Sequence, residues 1–124
     1  MIDKKEMKRK YKQQTPAMGI YQVKNRVNGK IWVDIARDLH GQMNSCKFQL
    51  KHGIHANKEL QADYARIGEE KFSFEVVDTL EQKKETGYDP AADLKTLEEM
   101  WMDKLQPYGD KGYHKRKMTE TGKG

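Results

Sequence analysis

The sequence contains a single cysteine, Cys46, and only three prolines among 124 residues. One thiol rules out an internal disulfide and leaves no cysteine cluster to hold zinc. No apolar run approaches the roughly 18 residues of a membrane span, and the N-terminus lacks an apolar stretch of signal-peptide length. The expectation is a cytoplasmic protein with no membrane partner. Aromatic residues are sparse at 9%, and apolar residues of all kinds reach 35%. A chain of this length suits one domain that buries roughly two thirds of its unfolded surface.

Charge is present in quantity but unevenly spread. Residues 1–13 carry six Lys or Arg against two acids, and residues 111–124 carry five against one. Each end therefore holds +4, which leaves −3 on residues 14–110 from the overall +5. Basic ends contact phosphates in many proteins, and in others they only maintain solubility. On the first reading, Lys8, Arg9, Lys10, Lys115, Arg116 and Lys117 are candidate nucleic-acid contacts. The organisation is a basic arm over 1–15, a domain over 16–114 and a basic tail over 115–124.

Periodicity supplies the elements. Met18, Ile20 and Gln22 alternate with Gly19, Tyr21 and Val23, as in a strand. Asn28-Gly29 is a hairpin signal, because both residues tolerate positive φ. Ile31, Val33 and Ile35 then alternate with Trp32 and Asp34, so Trp32 and Asp34 share a face. Asp38 can cap a helix to about Lys51, with Leu39, Met43, Cys46 and Leu50 on one stripe. Asn57 can cap a second helix carrying Leu60, Tyr64 and Ile67 inward. A third strand spans Phe72 to Val77. Asp89-Pro90 opens a last helix with Leu94, Leu97, Trp101 and Leu105 on its stripe. The fold class is α+β: a small three-stranded antiparallel sheet with helices packed on it.

Gly19-Ile20-Tyr21 on the first strand, with Trp32-Val33-Asp34 on the second after ten intervening residues, resembles the opening of a GIY-YIG nuclease domain. Lys51 to His55 followed by Asn57 to Gln61 resembles that family's third block. Leu97 to Trp101, Leu105-Gln106-Pro107 and Gly112-Tyr113-His114 resemble its fourth and fifth. The resemblance implies a GIY-YIG endonuclease-like fold and phosphodiester hydrolysis of nucleic acid, DNA in preference to RNA. It also implies a Mg2+ or Mn2+ cofactor. Tyr21, Trp32, His55 and Glu98 match catalytic positions, and Glu98 matches the metal glutamate.

Several positions depart from the family pattern. Trp32 replaces a tyrosine, and an indole donates a hydrogen bond without exchanging a proton. Asp34 replaces a glycine, Gln42 an arginine, Cys46 a histidine and His114 an asparagine. Arg37, five residues before Gln42, would lie about 140° away on a continuous helix, so the spacing does not offer it as a substitute. Losing an arginine and gaining Asp34 makes a phosphate site more negative by two charges. One unit-charge interaction at 4 Å amounts to about 4 kcal/mol at an effective dielectric near 20, which is on the order of a thousandfold in rate. Asp34 joining Glu98 as a second metal ligand would reverse that argument, since oxygen-rich sites suit magnesium. Three functions remain open: an endonuclease-like protein of weak or lost activity, a catalytically inactive nucleic-acid-binding module, and a protein-interaction module.

Overall fold

In a computed structural model, residues 17–81, 87 and 89–115 are described. Three strands form one sheet in the order β2-β1-β3, with β1 (Met18–Asn25) pairing antiparallel to both β2 (Ile31–Ala36) and β3 (Phe72–Leu80). Helices α1 (Leu39–Lys51) and α2 (Lys58–Ile67) follow β2, and α3 (Ala91–Leu105) follows β3. The α+β architecture and the three antiparallel strands agree with the sequence pattern.

Strand alternation divides the core in two. Tyr21, Val23 and Ala36 face α1 and α2, where they meet Leu39, Cys46, Leu50, Leu60 and Tyr64. Ile20, Ile31 and Val33 face the other way and meet Leu97, Trp101, Met102 and Leu105 of α3. Each large apolar side chain buried in this way contributes about 1.5–3 kcal/mol, so the sheet is held from both sides. Both helix caps form as the sequence suggests. Asp38 accepts from Gly41 N–H at 3.0 Å, and Asn57 accepts from Leu60 N–H at 2.9 Å. Gly41 costs helix propensity, yet a Cβ there would lie 2.7 Å from the Asp38 carboxylate, so the glycine makes room for the cap.

Three details differ from the sequence pattern. The β1–β2 connection spans residues 26–30, closed by Asn25 N–H on Lys30 O at 2.9 Å, and only Gly29 in it takes positive φ. Asn28 instead accepts from Lys30 N–H through its side chain. A β-bulge between Ile20 and Tyr21 lets β3 run to Leu80 and turns Asp78 to the α3 side. There Asp78 accepts from Trp101 Nε1–H at 2.9 Å, tying α3 to the sheet. Finally, the segment after α3 returns along the free edge of β2. Gly112 bridges Ile31, and Tyr113 N–H donates to Ile31 O at 3.0 Å. An unpaired edge is thereby covered. Among the described residues no helix is long and apolar enough to cross a membrane.

Candidate active site

Tyr21 sits in the middle strand, fully buried, with Asp34 as its direct partner across β1 and β2. Directly paired residues share a face, which here is the α1/α2 side. The glycine of the first triplet is required by contact: a Cβ on Gly19 would collide with the Asp78 carbonyl of β3. The Tyr21 hydroxyl donates to Asp34 Oδ2 at 3.4 Å, while Ile35 N–H donates to Asp34 Oδ1 at 2.9 Å. Gln42 and Cys46 of α1 also reach that hydroxyl. Burial, then the neighbouring Cys46 thiol and Asp34 carboxyl, hold the Tyr21 phenol well above its ordinary value. Tyr21 therefore keeps its proton at neutral pH and acts as a hydrogen-bond donor rather than a base. Burial pushes the Cys46 thiol up to about 11, which leaves it inert as a nucleophile. The Asp34 carboxyl is also raised by burial, partly offset by the Ile35 amide and the Tyr21 hydroxyl.

Trp32 extends this cluster toward two histidines. Its ring meets Tyr21 edge-on at 6.0 Å, His55 edge-on at 4.6 Å, and His114 in a parallel arrangement at 6.1 Å. His55, only 2% exposed, precedes α2 and accepts from Asn57 N–H through Nδ1 at 3.0 Å. His114, on the segment covering β2, accepts from Val33 N–H through Nε2 at 2.9 Å. Each neutral ring therefore carries its proton on the other nitrogen. Burial lowers both histidine pKa values, so both are neutral donors at pH 7 with their acceptor nitrogens engaged.

The structure thus brings together Tyr21, Trp32, Asp34 and His55, and joins Gln42, Cys46 and His114 to them. Glu98 lies half-buried on α3, the helix packed on the opposite face. Lys115 is exposed, whereas Lys8, Arg9, Lys10, Arg116 and Lys117 fall outside the described residues. Arg37 lies outside the helix that the spacing argument assumed. It precedes the N-cap of α1, so helical angles do not apply to it, and it lines a cleft of about 510 Å³ together with Gln42. The part played by His114 carried no local signal, because its partner Val33 is 81 residues away.

Among the described residues no three His, Cys, Asp or Glu side chains are grouped so as to hold a metal ion. The chain does not build a closed metal cage from them. Magnesium needs only one or two carboxylates, completing its shell with water and phosphate. Asp34 fits that role poorly, since both its oxygens already accept hydrogen bonds and burial disfavours its charge.

Two solved structures resemble the chain. One is the catalytic domain of the homing endonuclease I-TevI, with 25% identity, 77% of this chain and 95% of that chain covered, and a TM-score of 0.63. The other is a mutant form of the catalytic domain of the intron endonuclease I-TevI, with 23% identity, 73% and 84% covered, and a TM-score of 0.60. The fold is that of a GIY-YIG endonuclease catalytic domain. No family model matches the chain, and no curated protein matches it.

Proposed function

We propose that this chain is an endonuclease-like protein that acts on nucleic acid, with DNA preferred, and whose own phosphodiester hydrolysis is weak or lost. The observation that carries the reading is the correspondence with nearly the full length of an endonuclease catalytic domain. Its polar cluster supports the class. The N–H groups of His55 and His114, opposite the acceptor nitrogens bonded to backbone amides, are donors of a kind that suits phosphate oxygens. Trp32 fixes both rings by packing against them.

The same cluster argues for low activity. Hydrolysis needs an acceptor for the proton of the attacking water, and neither histidine offers one. Tyr21 holds its proton, so Asp34 is the remaining acceptor in the cluster. Its negative charge opposes the approach of a phosphodiester. Glu98 would hold a divalent Mg2+ or Mn2+, which when bound offsets charge on the phosphate.

A second reading is a nucleic-acid-binding module with no catalysis, favoured by the engagement of both histidine acceptors with backbone amides. Nicking of supercoiled plasmid with magnesium or manganese separates the two. Little or no cutting is expected from the unmodified chain. Asp34→Gly with Gln42→Arg should gain metal-dependent nicking, and adding Glu98→Ala should remove it. If the double variant binds DNA yet stays silent, the binding module stands. Robust nicking by the unmodified chain, lost on Glu98→Ala, would overturn the claim of weak activity.

A further inference from the structure

The cleft beside the polar cluster is formed by Arg37, Asp38, Gly41 and Gln42 and closed by Ala91 and Leu94 of α3. Gln42 touches both the cleft and the Tyr21 hydroxyl, so the two regions are continuous. Among the described residues lining this cleft, Arg37 is the one cation. The Asp38 carboxylate there is committed to Gly41 N–H as the helix cap. We propose that Arg37 is a phosphate-binding residue of this site, held by Asp89 until nucleic acid takes Asp89's place.

The inference rests on the reading that the chain acts on nucleic acid, and it deepens that reading. The Arg37 side chain is 62% exposed and Asp89 is 70% exposed, with Nη2 to Oδ1 at 2.9 Å. An ion pair this open to water contributes little to stability. A phosphate offers the guanidinium two parallel charge-assisted bonds, which are stronger. The backbone of Arg37 is nevertheless well placed, between buried Ala36 at the end of β2 and the Asp38 cap of α1. Asp89 also accepts from Ala91 N–H at 3.1 Å, so it keeps a partner when Arg37 leaves.

The competing explanation is a surface staple between the β2–α1 turn and the start of α3. The two explanations differ in sign. A staple is broken equally by Arg37→Gln and by Asp89→Asn, so both variants act alike. If Arg37 binds phosphate, Arg37→Gln weakens binding and Asp89→Asn strengthens it.

The experiment is fluorescence anisotropy of a labelled DNA duplex and of the matching single strand, titrated with the full chain at several salt concentrations. Arg37→Gln is expected to weaken binding about tenfold and to lower the slope of log affinity on log salt by about one. Arg37→Lys should recover part of the loss, since it keeps the charge without the planar fork. Asp89→Asn should tighten binding in the unmodified background and leave it unchanged when added to Arg37→Gln. Thermal melts of all variants confirm that each is folded. Equal tightening by Asp89→Asn in both backgrounds would mean simple charge removal and would overturn the proposal. So would weakening by both single variants alike, or unchanged affinity in Arg37→Gln. Failure of the unmodified chain to bind either DNA would sink the parent reading and this inference with it, whereas binding indifferent to Arg37 sinks the inference alone.

Discussion

The two faces of the sheet use the same three strands for different ends. On the α3 side, Ile20, Ile31 and Val33 meet Leu97, Trp101, Met102 and Leu105, and the Asp78–Trp101 hydrogen bond adds a polar tie. On the α1/α2 side, Tyr21, Trp32, Asp34 and His55 lie among apolar neighbours, with Asn25 and Tyr113 nearby. Among the described residues every buried side-chain nitrogen or oxygen has a hydrogen-bond partner. The comparison shows how a two-residue period can send one set of side chains to packing and its neighbours to a polar cluster. Ile20 and Tyr21 are adjacent, both wholly buried, and belong to different cores.

The packing face should break hardest. Ile20→Ala removes a fully buried side chain from the face covered by α3. A loss of about 2–5 kcal/mol is expected, a large part of the 5–15 kcal/mol typical of a whole domain. A urea titration with unchanged slope and a lower midpoint would bear this out. An effect below about 1 kcal/mol would mean that the α3 face is far looser than the burial indicates.

The polar face should respond more weakly and through hydrogen bonds. The Tyr113 hydroxyl accepts from Asn25 Nδ2 at 3.0 Å and donates to Asp63 Oδ2 at 2.8 Å. Tyr113→Phe leaves Asn25, itself fully buried, with one donor unmatched, at a cost of about 1–3 kcal/mol. The same urea experiment measures it. A neutral result would show that water replaces the hydroxyl, and that this network contributes little to holding the β2 edge segment.

The difference between the faces also explains what the sequence made legible. Strand alternation, the Asp38 and Asn57 caps and the stripe of α1 follow local rules, and all appear where the pattern placed them. The bulge at Ile20 and Tyr21, the return of residues 112–114 along β2 and the tautomers of His55 and His114 depend on partners distant in sequence or on backbone amides. The helical angle between Arg37 and Gln42 has no meaning for a local reason: Arg37 precedes the cap of α1. The shared face of Trp32 and Asp34 followed from period 2, and Tyr21 joins them through the β1–β2 register. The addition of Gln42 and Cys46 to the Tyr21 hydroxyl required α1 to be packed on that face.

The smallest expected effect is a change in pH slope, and it bears on the polar face alone. Asp34 has its pKa raised above the ordinary 3.8 by burial, so its charged form is disfavoured in the folded state. Its contribution to stability is intact below that value and is lost as pH rises through the folded pKa. His55 and His114 have pKa values lowered below 6.5, again by burial. Their contribution is intact above 6.5 and is lost as pH falls through their folded values. The two trends oppose each other between the carboxylate range and neutrality. Asp34→Asn removes only the first, because an amide does not ionise and the Tyr21 hydroxyl can reverse its hydrogen bond to accept from it. The variant should match the unmodified chain at acid pH, exceed it in stability at pH 7, and lose stability more steeply on acidification. Melting temperatures across pH 4 to 8 measure the difference directly. A gap between variant and parent that stays constant over that range would mean that Asp34 is solvated well enough to ionise freely. The carboxylate beside Tyr21 would then be a stronger obstacle to phosphate, and a better metal ligand, than its burial implies.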